Sequence, residues 1–220
     1  MDKAVFFFEL GYLFNIIGTL LLIKNIRMKR HIEGISFYTQ ILFAISNFAK
    51  ILYFPHTVLW ESGFGWIEFI CSQGCSVLLL FCMNKYKPIS ITQEKNVFDY
   101  RVLILVSLVL GFISNYEKDN SFEWSQFAIR FSILLEALGL LPQIRLMHRE
   151  KFVQKFMGYY LLFLCLSRIC RILFWVFQIQ NDSGETYYTL IIADVFYIVL
   201  TADFIYNFVK HLNNNVIPYN

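Results

Sequence analysis

Apolar residues run along this chain in seven long blocks. They are Ala4–Ile26, Ser36–Phe54, Phe64–Met83, Phe98–Asn115, Trp124–Met147, Phe156–Gln178 and Tyr187–Leu212. Each approaches the roughly 20 apolar residues that a helix needs to cross a bilayer. Turn-forming and polar residues separate them: Pro55-His56, Asn84–Tyr86 with Pro88, Glu117–Asn120 and Asn181–Gly184. Short connections predict antiparallel neighbours. The pattern predicts an all-α membrane protein with seven transmembrane helices in a single domain, residues 1–220.

Composition supports this class. Of 220 residues, 57% are hydrophobic and 16% charged, against about 45–50% and 25% in soluble domains. With 24 Phe, 13 Tyr and 4 Trp but only 4 Pro and 10 Gly, a disordered or low-complexity chain is excluded. The first block contains Glu9 and ends in the basic stretch Lys24–Arg30. It is expected to remain as a spanning helix, not to be cleaved as a signal. Charge in the connections then sets the orientation. Lys and Arg crowd the first (Arg27, Lys29, Arg30), third (Lys85, Lys87, Lys95, Arg101) and fifth (Arg145, Arg149, Lys151, Lys155) connections, and the alternate ones hold only Lys118. Cytoplasmic loops carry the excess of Lys and Arg. The N-terminus is therefore expected in the lumen and the C-terminus in the cytosol.

The ends of the first and fifth blocks are alike. Leu20-Leu21-Leu22-Ile23-Lys24 leads through a basic loop to Gly34-Ile35-Ser36. Leu140-Leu141-Pro142-Gln143-Ile144-Arg145 leads through another to Gly158-Tyr159-Tyr160. This suggests two parallel three-helix repeats, about 4–84 and 124–212, joined by one inverting helix at about 98–115. Parallel repeats of this kind meet at a midplane site in transport folds.

Charges inside the blocks carry most of the functional information. Ionised groups in a bilayer cost about 2.5–3.5 kcal/mol on insertion scales, so they face a bundle interior, usually paired. The cations are Lys50, Arg130, Arg168 and Arg171, and the anions are Glu9, Glu68, Glu136, Asp194 and Asp203. Arg168 and Arg171 share a helix face, with Trp175 one turn on. Such a face suits a carboxylate, because guanidinium offers a planar fork. Alternatively, these arginines neutralise Glu136 and Asp203 and lock the helices together. Arg130, close to a helix end, is expected to snorkel outward. No catalytic motif, phosphate loop or metal-ligand set occurs. Cys71 and Cys75 share a face but have no His nearby, and all five Cys read as small hydrophobes. No enzyme activity, cofactor, metal or nucleic-acid partner is expected.

Several stretches resemble the ER lumen protein-retaining receptors, the KDEL receptors. They are Gly34-Ile35-Ser36 with Gln40-Ile41-Leu42-Phe43 and then Lys50; Phe131-Ser132-Ile133-Leu134-Leu135-Glu136 with Leu141-Pro142-Gln143; Arg168 to Trp175; and Ala202-Asp203-Phe204-Ile205-Tyr206. The resemblance implies a fold similar to the SWEET and PQ-loop transporters. It implies capture of escaped lumenal proteins by a C-terminal KDEL-type tetrapeptide in the acidic Golgi and release in the neutral ER. Lys50 and Arg168 would meet the terminal carboxylate, helped by Arg171, an additional arginine that the resemblance does not supply. Glu136 and Asp203 would organise the pocket and meet a basic ligand residue, and Trp175 would supply a wall. Further partners would be membrane lipid and the vesicle coat machinery at cytosolic loops. This chain departs from the family at the first helix, where an early Arg is usual and nothing basic lies between Ala4 and Ile23. A small-solute transporter of the related fold and a non-binding paralogue are the alternative readings.

Overall fold

The computed structural model describes residues 3–30, 32, 34–56, 63–86, 99–115, 123–150, 152–181, 188–210 and 216–218. Among the described residues each of the seven apolar blocks is largely helical, the fifth as two helices broken at Gly139–Leu140. The helices are α1 (Lys3–Lys29), α2 (Phe37–Tyr53), α3 (Gly63–Lys85), α4 (Tyr100–Asn115), α5 (Trp124–Leu138), α6 (Leu141–Glu150), α7 (Lys155–Asn181) and α8 (Tyr188–Lys210). Two short strands, β1 (Phe152–Gln154) and β2 (Val216–Pro218), pair antiparallel. Four stretches are long and apolar enough to cross a membrane: Ala4–Lys29, Gly65–Lys85, Trp124–Arg149 and Lys155–Gln180. Counting α8, which bends by 45° between Ala202 and Phe204, gives five. At 17 residues α2 rises only about 25 Å, somewhat less than the roughly 30 Å hydrocarbon core.

Two boundaries differ from the sequence expectation for identifiable reasons. Helix α1 continues through Lys29, because nothing from Lys24 to Lys29 breaks a helix. Lys24, Arg27 and Lys29 therefore decorate its last turns and do not form a loop. Helix α2 begins where Ser36 accepts a hydrogen bond from the Thr39 amide at 3.2 Å, the usual N-cap arrangement. Gln143 of α6 secures the same point from outside. It accepts from the Ser36 amide at 2.7 Å and donates to the Gly34 carbonyl at 2.8 Å.

The main contacts join helices distant in sequence as well as neighbours. Helix α1 lies most extensively against α7, and α2 against α5. Within the first half, α3 touches both α1 and α2; within the second, α8 touches both α5 and α7. Helix α4 packs on α5. The α1–α7 seam depends on two glycines seven residues apart. A Cβ at Gly11 would stand 3.1 Å from the Ser167 carbonyl oxygen, and one at Gly18 would stand 3.0 Å from Phe163 Cβ. Small residues let helices in a membrane approach this closely.

The surface is apolar and part of the interior is polar. Ile67, Ile70, Phe81, Leu105, Ile192 and Val199 are exposed, while Lys50, Glu136, Arg168 and Asp194 are buried. A large aliphatic and aromatic cluster around Leu22, Met83, Leu140, Tyr160 and Phe208 fills one end of the bundle. The charged groups lie beyond it, nearer the end where α1 starts.

Candidate ligand-binding site

The site is built where α1, α2, α5, α7 and α8 meet. Each helix contributes because its inward stripe carries a polar residue. On α8 the buried stripe runs Leu190, Asp194, Tyr197, Thr201, Phe204, Phe208, the alternating spacing of three and four that places side chains on one helix face. On α7, Arg168 and Arg171 are three apart and both point inward. On α5, Glu136 is buried between them and α2.

The ion pairs are specific. Arg168 Nη1 donates to Glu136 Oε2 at 2.5 Å and lies 3.8 Å from Asp194 Oδ1. Arg171 Nη1 donates to the same Glu136 oxygen at 2.9 Å. Arg171 also forms a two-pronged contact with Asp194. Its Nε donates to Oδ2 at 2.7 Å, and its Nη2 donates to Oδ1. The Arg168 guanidinium stacks 4.6 Å from the Tyr197 ring centroid. Two cations and two anions thus neutralise each other inside the bundle, as buried charges must.

Lys50 is different. It is 6% exposed, and its ammonium sits 4.5 Å from the centroid of Tyr12. Among the described residues the site's ion pairs join only the two arginines to the two carboxylates. Lys50 takes part in none of them. Arg168 also keeps its Nε proton without an acceptor.

Two cavities flank the Glu136–Arg168 pair. The first is small and is lined by Phe8, Gly11, Tyr12, Lys50, Ser167 and Arg171. The second is lined by Thr19, Gln40, Asn47, Ser76, Tyr160 and Leu164, among others. Asn15, Glu136 and Arg168 line both. The first lies toward the start of α1 and the end of α7, and the second toward the opposite ends. Hydrogen bonds tie the helices around the second: Asn47 Nδ2 to Ser76 Oγ at 2.6 Å and Tyr160 hydroxyl to Gln40 Oε1 at 3.1 Å. Rings crowd the first. Phe8 lies 4.5 Å from Tyr12 and 4.9 Å from Phe174, and Phe7 stacks on Phe177.

Of the residues singled out in the sequence, Lys50, Glu136, Arg168 and Arg171 line one cavity. Trp175 lies elsewhere, in a core cluster with Ile133, Leu190 and Ala193, and lines neither cavity. The Asp203 side chain lies outside the described residues. Arg130 does not snorkel: it is 4% exposed, because its position on α5 faces the bundle. The acid that neutralises Arg171 alongside Glu136 is Asp194. Its place on the heptad-spaced stripe of α8 was the available signal. Tyr12 and Asn15 carried no such mark, being a ring and an amide within an apolar block.

Comparison with known proteins gives a consistent picture. The profile of a family described as ER lumen protein retaining receptor matches residues 31–178. The chain is 28% identical over 199 residues to ER lumen protein-retaining receptor A of Arabidopsis thaliana, covering 89% of each chain. It is 27% identical over 202 residues to the ER lumen protein-retaining receptor of Saccharomyces cerevisiae, covering 90% of each. It is 28% identical over 205 residues to the Drosophila melanogaster receptor, covering 90% of this chain and 91% of that one.

Proposed function

The chain belongs to the family of ER lumen protein retaining receptors, and from that premise we propose that it binds C-terminal, KDEL-type retrieval signals of lumenal ER proteins and returns them from Golgi to ER. It is a receptor and not an enzyme. One observation carries the assignment of the binding point. Lys50 is a buried cation outside every ion pair of the site, and it faces a cavity. A buried charge without a partner is costly unless something arrives to neutralise it. A peptide's terminal carboxylate is such a group, with the Arg168 Nε proton as a second donor. Arg171, held by Glu136 and Asp194, fixes the floor against which the carboxylate rests. Trp175 stiffens the wall behind it through its cluster.

The protein is a multi-pass membrane protein of ER and Golgi. In our reading all seven helical segments cross the bilayer, as two parallel three-helix repeats joined by α4. The helix pairings support this: exchanging the two halves maps α1–α3 onto α5–α8, α2–α3 onto α7–α8, and α1–α7 onto α5–α2. The basic connections face the cytosol, so the first cavity opens toward the lumen, where the signals are. The cytosolic loops would recruit vesicle coat, and lipid would cover the apolar surface.

Equilibrium binding of tetrapeptides to the purified chain tests the reading. A free-acid peptide is expected to bind and its C-terminal amide to fail. Lys50→Met is expected to lose binding by about 2–5 kcal/mol, the usual cost of truncating one partner of a buried charged contact. Lys50→Arg should retain it, because the guanidinium fork suits a carboxylate. Equal affinity for acid and amide would refute the carboxylate site.

A further inference from the structure

Lys50 can serve a ligand only while it stays apart from Glu136, and the contacts of α2 show what keeps it there. We propose that Ser46 and Asn47 are positioning residues. They pin α2 against α5 and α3 in the register that turns Lys50 toward the first cavity and away from Glu136. Neither residue lines that cavity, so they act through Lys50. The inference rests on the receptor reading and deepens it.

Register comes first. A Cβ on Gly139, at the end of α5, would lie 3.0 Å from Leu42 Cβ. Further along α2, Ser46 Oγ donates to the Ser132 carbonyl at 2.9 Å. Numbers rise on α2 while they fall on the facing stretch, so the two helices run antiparallel where they touch. Lys50 lies one turn past Ser46, and Glu136 lies one turn past Ser132. In an antiparallel pair those turns lead away from the hydrogen bond in opposite directions. Four residues on each helix, at 1.5 Å apiece, put the two Cα atoms about 12 Å apart along the bundle. The ammonium settles over Tyr12, 4.5 Å from the ring centroid, and Glu136 takes Arg168 and Arg171. A slide of α2 by one turn, about 5.4 Å, would bring the lysine to the acid. Opposite charges inside a bundle attract strongly, so the register has to be held against that pull.

Asn47 holds the other side of the same turn. Its Nδ2 donates to Ser76 Oγ at 2.6 Å, and its own carbonyl accepts from Gln73 Nε2 at 2.6 Å. Both partners stand on α3. Three hydrogen bonds to two different helices thus meet on two consecutive buried residues, one turn before Lys50. Apolar side chains there would fill the same space in a bundle surrounded by lipid. What the hydroxyl and the amide add is direction. A hydrogen bond weakens steeply when its distance or angle changes, whereas facing methyl groups let one helix slide on another. Polar contacts of this kind tie helices together in membranes. Once the pin is released, Lys50 gains access to Glu136, and a lysine paired there is withdrawn from the ligand.

The test uses the full-length chain purified in detergent, with Lys-Asp-Glu-Leu as free acid and as C-terminal amide. Ser46→Thr and Ser46→Val differ by a hydroxyl in place of a methyl, so they separate the hydrogen bond from the packing. Asn47→Leu removes the side-chain contact to α3. Ser46→Thr should bind the free acid as the parent does. Ser46→Val should bind it about three-fold more weakly. Ser46→Val with Asn47→Leu should bind it about ten-fold more weakly, the loss expected when the competent state falls to about a tenth of the population. A second measurement needs no peptide: Lys50→Met is placed in the parent and in the double variant, and thermal unfolding is followed. It should raise the melting temperature of the parent by removing a buried charge outside the ion pairs. In the double variant, where Lys50 has joined Glu136, it should lower it. A purely structural role would give equal shifts in both backgrounds, because independent sites add. Where the double variant does not fold, Ser46→Val alone carries both measurements. The inference is overturned if Ser46→Val binds the free acid as tightly as Ser46→Thr, or if Lys50→Met shifts both backgrounds equally. If the parent does not tell acid from amide, the receptor reading fails, and the unfolding comparison alone decides how Lys50 is positioned.

Discussion

Two arginines three residues apart on α7 and a lysine on α2 are chemically similar cations, yet their surroundings give them opposite energetic roles. Arg171 is gripped by Asp194 and Glu136, so removing an acid leaves a buried guanidinium short of a partner. Asp194→Ala should lower stability by about 3–5 kcal/mol, the range for breaking a buried pair from one side. Replacing both members, Arg171→Leu with Asp194→Leu, should recover most of that loss, because apolar pairs of similar volume often substitute without penalty. Lys50 forms no ion pair with a carboxylate among the described residues, so the burial of its charge is a cost to the unliganded fold. Lys50→Met is therefore expected to raise thermal stability in detergent while abolishing peptide binding. Thermal unfolding of the three variants, with and without peptide, checks the signs. A Lys50→Met protein less stable than the parent would mean that the lysine is a structural tie.

Among the helices, the decisive contacts are those where a missing Cβ lets two backbones meet. Gly158, in the first turn of α7, faces Phe208 near the end of α8. A Cβ there would fall 2.1 Å from the Phe208 ring, and that ring is fully buried. At that distance something must shift, so Gly158→Ala is expected to displace the Phe208 ring or to push α8 away from α7. Overpacking of this kind costs about 1–3 kcal/mol. It would also shift the far end of the same helix pair, where Arg171 meets Asp194. Gly158→Ala should lower thermal stability, and Gly158→Ala with Phe208→Leu should regain most of it. A single variant as stable as the parent would show that the interface yields elsewhere. The Ser36 cap and the Gln143 clamp act at the neighbouring end, holding the start of α2 against α6.

For the whole molecule, an apolar exterior around a charged centre is the arrangement expected of a bundle in lipid. Orientation then decides which cavity a lumenal peptide can reach. The connections rich in Lys and Arg predict that the stretch around Lys95 is cytosolic and the stretch around Lys118 lumenal. Single cysteines at these two positions, in a chain whose five native cysteines are replaced, can be labelled in sealed vesicles by an impermeant thiol reagent. Residue 95 should react from the cytosolic side only and residue 118 from the lumenal side only. The reverse pattern would open the Lys50 cavity to the cytosol and end the receptor reading.

The sequence by itself determined the class, the helical character of the apolar blocks and the identity of most charged groups at the site. A block of some 20 apolar residues has few alternatives in a bilayer, where every backbone group must be satisfied within its own segment. Charges inside such blocks are few enough that nearly all of them matter. Membership of the receptor family was legible for a similar reason, in short runs such as Leu141-Pro142-Gln143 and the stretch from Arg168 to Trp175. Only the tertiary structure decided who pairs with whom. Asp194 rather than a residue nearer the end of α8 meets Arg171, because helix crossing and rotation set that distance and neither can be read from a linear pattern. Arg130 turned inward and Trp175 joined the core for the same reason. The structure also separated Lys50 from the arginines. Their charges are equal in the sequence, but the positions of Glu136 and Asp194 cancel two of them and leave the third facing the cavity. That difference exists only once five helices have met.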